Sequence, residues 1–140
     1  VYSAYNLDHI YPHEVPIALK EFRRVITDTG FLLITCPDLE SVCSLVADNK
    51  LTETAYASPA GPITPLDILY GHRASIANGN DFMAHKCGFT AKTLAIDIRS
   101  AGFIQTATAK GRCYDLWALG TCSSWEKAEV TDVCKKLFGR

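Results

Sequence analysis

Phe31-Leu32-Leu33-Ile34-Thr35-Cys36-Pro37-Asp38 is the stretch that decides the fold. Its first six residues form a continuous apolar and β-favouring run, and Pro37-Asp38 ends it. That is the pattern of a strand buried on both faces, as in a parallel sheet. Just upstream, Asp28-Thr29-Gly30 is turn chemistry, and Gly30 can take a positive φ at no steric cost. Before the turn, Val15, Ala18, Leu19, Phe22, Val25 and Ile26 follow the i, i+3, i+4, i+7 rule, which predicts an amphipathic helix stopping near Thr27. Pro16 suits its first turn. Val1-Tyr2-Ser3-Ala4 reads as the tail of another strand, so strand, helix and strand alternate.

Downstream, Leu39, Val42, Cys43 and Val46 make a brief helical stripe. Residues 48–90 lose periodicity. Prolines 59, 62 and 65 and glycines 61, 71, 79 and 88 interrupt them, and one helical turn is expected around Leu66-Asp67-Ile68-Leu69-Tyr70. An irregular segment this long is usually functional or disordered, and its aromatic and His residues argue against disorder. Thr90 then reads as the N-cap of a helix with Ala91, Leu94, Ala95, Ile98 and Ala101 on its apolar face and Gly102 at its stop. Residues 103–110 and 114–121 are strand-like runs joined by Gly111-Arg112-Cys113, as in an antiparallel hairpin. Ser123-Ser124-Trp125-Glu126 fits a capping box before a last helix whose stripe is Val130, Val133, Cys134 and Leu137. The expected fold is a single α/β domain over residues 1–140, a small mixed sheet with a terminal antiparallel hairpin and flanking helices.

At 140 residues, with 48% of them apolar, one domain can bury roughly two-thirds of its unfolded surface without disulfide or metal staples. Fourteen Lys and Arg balance fifteen Asp and Glu. No basic cluster exceeds the pairs Arg23-Arg24 and Lys135-Lys136, which argues against nucleic-acid and polybasic membrane partners. No apolar run approaches the about 20 residues of a membrane span. The six Cys form no Cys-x-x-Cys pair and read as buried thiols of a protein in a reducing cytoplasm. The chain opens on Val1 with no signal-peptide pattern, which reads as a cut start.

Ser3-Ala4-Tyr5-Asn6-Leu7-Asp8-His9 resembles the Ser-x-x-x-Leu-Glu-His segment after the fourth strand of Rossmann-like, class I SAM-dependent methyltransferases. Arg24-Val25-Ile26-Thr27-Asp28-Thr29-Gly30 resembles that family's turn before strand five, and Thr35-Cys36-Pro37-Asp38 the end of that strand. Gly88-Phe89-Thr90, with Ala101-Gly102-Phe103, resembles its last helix and the approach to its terminal hairpin. Asp8 replaces the usual Glu, and Asp28-Thr29 the usual Pro-Gly. The family's Gly-rich loop has no counterpart here, since none of the nine glycines makes a G-x-G. The resemblance therefore implies the C-terminal half of a methyltransferase domain, lacking the N-terminal SAM-binding unit. SAM would be the parent cofactor, bound only weakly by this half, which alone would be inactive.

By that resemblance, Asp8 and His9 lie where methyl donor meets acceptor, His9 taking a proton and Asp8 orienting it. The plainer alternative is Asp8 as a helix cap beside a surface His. Tyr5, Asn6 and Leu7 are the expected cofactor wall. Tyr70, His72, Arg73, Asn80 and His85 are expected to select a small-molecule acceptor, or else to satisfy one another within an ordered loop. Arg73 has two options, a substrate carboxylate or phosphate, or a pairing with Asp67 or Asp81. His9 and His13 stand four apart, but Pro12 and Pro16 interrupt any helix there and no third ligand follows, so no metal site is expected. Trp117 and Trp125 read as packing residues, and no Cys is marked as a nucleophile. The class-distinct alternative is a non-catalytic module that self-associates or docks on a partner. A homodimer is expected in either case, through residues 1–11 or the 31–36 edge.

Overall fold

The computed structural model describes residues 1–138. In chain order it runs β1 (Tyr2–Ala4), a 3-10 turn (Leu7–His9), α1 (Val15–Val25), β2 (Phe31–Pro37), α2 (Leu39–Ala47), β3 (Tyr56–Ser58), β4 (Gly61–Ile63), α3 (Pro65–Tyr70) and α4 (Arg73–Ala77). A second 3-10 turn (Asp81–Met83), α5 (Ala91–Ser100), β5 (Gln105–Lys110), β6 (Asp115–Thr121) and α6 (Lys127–Phe138) complete it. The main sheet has the order β1-β2-β6-β5. β1 runs parallel to β2, with Ser3 opposite Ile34, and β6 lies antiparallel between β2 and β5. The expected α/β fold with a mixed sheet and a terminal hairpin is therefore present.

β2 is internal. Every residue from Leu32 to Pro37 is buried, as a continuous apolar run requires when both faces are covered. Its alternate side chains Leu32, Ile34 and Cys36 join Leu116 and Ala118 of β6 against Leu19 of α1, Leu94 and Ile98 of α5, and Phe89 and Phe103. Leu33 and Leu119 pair on the opposite face. The chain reaches that face at Trp125, whose ring meets Phe31 edge-on at 5.7 Å and whose backbone exchanges hydrogen bonds with the Gln105 side chain.

Residues 48–90 hold more order than their sequence announces. Besides the expected turn, now α3, they carry the β3-β4 hairpin, α4 and the second 3-10 turn. Ile63 and Ile68 from this segment close a second small core on Val42 of α2, with Tyr56, Leu69 and Tyr114 packed round it. The helix start expected from the Ser123–Glu126 capping box lies further on: α6 starts at Lys127, and the Glu129 carboxylate accepts from the Glu126 N–H. The thiols are all free but not all buried. Cys36 and Cys122 are enclosed, Cys87 and Cys134 partly so, and Cys43 and Cys113 are exposed because they lie on the outer face of α2 and in the hairpin turn. Among the described residues, no helix is long and apolar enough to cross a membrane.

Candidate functional site

β1 ends at Ala4, and Tyr5, at φ +49°, turns the chain at the carboxyl end of the strand. The Tyr5 N–H still donates to Thr35 O at 2.8 Å, the last link to β2. Leu7 then drops into the main core, 2% exposed, and draws its neighbour Asp8 down with it to 1%. A strap from the long segment closes over this turn. The N–H groups of Lys86 and Cys87 donate to Asp8 O at 2.7 and 3.3 Å, and the Cys87 thiol donates to Leu7 O at 3.0 Å. The strap is aligned upstream by an isolated antiparallel bridge between Gly71 and Ala84, and the His85 N–H donates to Tyr70 O at 3.2 Å.

Three side chains converge where strap and turn meet. Asp8 Oδ2 stands 3.2 Å from His85 Nε2 and 3.6 Å from His9 Nε2. The imidazole centres are 4.8 Å apart and nearly perpendicular. Each ring is held from behind: Nδ1 of His85 lies 2.8 Å from Ile68 O, and Nδ1 of His9 lies 3.3 Å from Ala84 O. A carbonyl oxygen only accepts, so each Nδ1 carries the hydrogen and each Nε2 is left facing the carboxylate. Neither Asp8 oxygen has an aligned hydrogen bond among the described residues. Burial pushes the His85 imidazole below its ordinary pKa; the Asp8 carboxylate and the Ile68 carbonyl pull it up, and His9 adds to the lowering. The cluster can hold a proton between an imidazole and the carboxylate, and His9 is its more exposed ring.

Asp8, His9 and His85, expected in two separate roles, are thus brought together. Asp8 approaches His85 more closely than the neighbouring His9. Tyr5 and Asn6 are exposed beyond the end of β1, whereas Leu7 is closed inside the core, away from any ligand. Although Tyr5 is 48% exposed, the partial desolvation of its phenol, and then the Asp115 carboxylate, push it above its ordinary pKa. Of the other expected selectivity residues, Arg73 takes the internal option, its Nε 2.8 Å from Asp67 Oδ1. His72 Nδ1 meets Ser75 Oγ at 2.7 Å, and Tyr70 and Asn80 are exposed. His13 stacks on Tyr11 rather than joining His9 in the cluster. Sequence reading passed over Asp38, fully buried at the end of β2, where the Ser41 hydroxyl donates to its carboxylate and Lys110 Nζ lies 3.4 Å away. Its signal was the Pro-Asp stop itself, which served there only to end the strand. No protein-family model and no curated protein matches the chain.

Proposed function

We propose that this chain is a methyltransferase-like half-domain, corresponding to the C-terminal half of a Rossmann-like SAM-dependent methyltransferase and carrying the acceptor side of its site. One observation carries this reading. A parallel pair, β1 and β2, is followed by a last strand placed antiparallel between β2 and β5, and the Asp8-His9-His85 cluster sits just beyond the carboxyl end of β1. The order agrees with the resemblance of these strands to the fourth, fifth, seventh and sixth of that family. Ligands of open α/β sheets bind outside the carboxyl ends of the strands.

Tyr5 and Asn6, exposed at that end, fit contact with one edge of the cofactor; Leu7 does not. SAM, when bound, supplies an electrophilic methyl group on sulfonium. The residues of this chain orient the acceptor and take its proton: His9, the more exposed ring, takes it at Nε2, and Asp8 with His85 stabilises the cation formed there. The six free thiols suit a reducing cytoplasm.

The test is amide NMR during titration with SAM and with S-adenosylhomocysteine. Few contacts remain to offset immobilisation, so binding is expected no tighter than roughly millimolar, with shifts at Tyr5, Asn6, His9 and the strap. Shifts confined to α6 or β5 overturn the reading. Stoichiometric micromolar binding overturns the half-domain part of it.

A second reading, a self-associating module, is favoured by the edge strand. Val1 and Tyr2 are 46% and 58% exposed. Beside them, Val1, Tyr2, Phe31, Leu33, Trp117 and Leu137 line an apolar recess of about 440 Å3. β2 is internal, so the only route left from the expected dimer contacts is through β1 and the residues around it.

A further inference from the structure

We infer that Asp8, His9 and His85 form a binding site for a divalent transition-metal ion of the zinc class. The inference goes beyond methyl transfer and does not depend on it. It starts from an electrostatic conflict. Both imidazoles spend their Nδ1 hydrogens on backbone carbonyls, Ile68 O and Ala84 O, so as neutral rings both present Nε2 lone pairs to Asp8 Oδ2 at 3.2 and 3.6 Å. Three acceptors facing one another repel, and the carboxylate among them is 1% exposed with neither oxygen in an aligned hydrogen bond among the described residues. A buried carboxylate in that state is costly unless a cation meets it.

The donor set and its supports match what a metal asks for. Two imidazoles and one carboxylate are a frequent protein ligand set for zinc and for ferrous, cobaltous and nickel ions, with open positions left for water. Metal-bound His usually donates its other N–H to a carbonyl or carboxylate, which fixes tautomer and ring direction. Both rings here are held in that way. Metal-to-ligand bonds of about 2.0–2.2 Å in a tetrahedral site place ligand atoms about 3.3–3.6 Å apart. The two separations from Asp8 Oδ2 fall in or beside that range, and the ligand atoms of the three residues lie within 4.8 Å of one another. Closing the widest gap needs about an ångström of ring movement. The more exposed His9, on the longer carbonyl contact of 3.3 Å, is placed to supply it. Of the three ligands His9 is the nearest to solvent, its side chain 21% exposed against 12% for His85 and 1% for Asp8.

The alternative occupant is a proton, giving an imidazolium paired with Asp8 and no affinity for metal. Titration of the chelator-stripped chain with Co2+ and then Zn2+ separates the two. Cobalt is expected to bind at about one equivalent, tighter than about 10 μM, with a nitrogen and oxygen ligand-field spectrum free of the sulfur charge transfer that Cys43 or Cys113 would give. In the unmodified chain, zinc is expected to shift the Nε2 resonances of His9 and His85 while both Nδ1 stay protonated. Changes in supporting residues alone typically cost about 10–100-fold in affinity, so His85→Gln and Asp8→Asn are expected to weaken binding by about 100-fold or more, and His13→Gln not at all. No uptake at these concentrations, Nε2 resonances that do not move, or uptake unchanged in His85→Gln overturns the inference. If Asp8→Asn does not fold, the resonances of the unmodified chain still decide. All readouts are taken without SAM, so failure here leaves the methyltransferase reading standing, and failure there leaves the metal site.

Discussion

Asp67 ties two short helices together with one carboxylate. Its Oδ2 accepts from the Thr64 N–H at 3.0 Å and the Thr64 hydroxyl at 2.6 Å, closing the capping box of α3, while Oδ1 accepts from Arg73 Nε at the start of α4. Burial works to raise its pKa, but the hydrogen bonds from Arg73 and Thr64 together outweigh it and hold the carboxyl well below the usual carboxylate range. The folded value lies below the unfolded one, so the stabilisation is complete above about pH 4 and is lost as pH falls through the folded value. Asp67→Asn is expected to lose about 1–2 kcal/mol at pH 7. Urea unfolding from pH 7 down to pH 2 should also show a shallower acid decline in the variant; an equal decline in both proteins would contradict the assignment. The pairing of Arg73 with Asp67 was among the alternatives in the sequence, beside Asp81 and a substrate anion, because six residues of separation across a turn can be bridged locally. Asp8 with His85 was not legible, since nothing near either residue reports a contact made across the whole fold.

α5 is the element most fully written in the sequence. Ten residues give the apolar period room to repeat, and Thr90 caps it as expected, its hydroxyl accepting from the Thr93 N–H. Leu94 and Ile98 are completely buried against the sheet. Leu94→Ala is therefore expected to cost about 2–5 kcal/mol, against less than about 0.5 kcal/mol for the exposed Lys92→Ala, by chemical denaturation of both variants. β3, β4 and α4, of three to five residues each, are too short to show a period. β3 and β4 are held instead through Val42, Ile63 and Ile68, residues from different elements whose meeting no local pattern encodes, and α4, which buries no residue, is tied at its start by Arg73 to Asp67. At α6 the cap was displaced by three residues, because Glu129 closes back on Glu126 where Glu126 had been assigned the closing role.

At the scale of the whole molecule, strand type was legible and strand order was not. The apolar run of β2 and the hairpin residues mark strands, but the insertion of β6 between β2 and β5 follows only from pairing over long separations, Leu33 with Leu119 among them. That order leaves β1 at the edge beside the recess of Tyr2, Leu33 and Trp117. Under the self-association reading, light scattering at micromolar concentration is expected to give a dimer mass for the chain and a monomer mass for Tyr2→Lys, which sets a charge on the edge. A monomer that persists on concentrating the unmodified chain removes that reading.

The bridge between Gly71 and Ala84 has a consequence for how the chain can change over time. It ties residues 71–84 into a noose whose knot lies next to His85, and most of the residues between are exposed or half-exposed, Phe82 to 86%. The knot tolerates little: Gly71 sits at φ +96°, and a Cβ there would lie 1.8 Å from Met83 O. The exposed stretch between is under no such restriction. Its length and side chains are free to drift, and with them whatever molecule they greet, while the knot keeps His85 in place over Asp8.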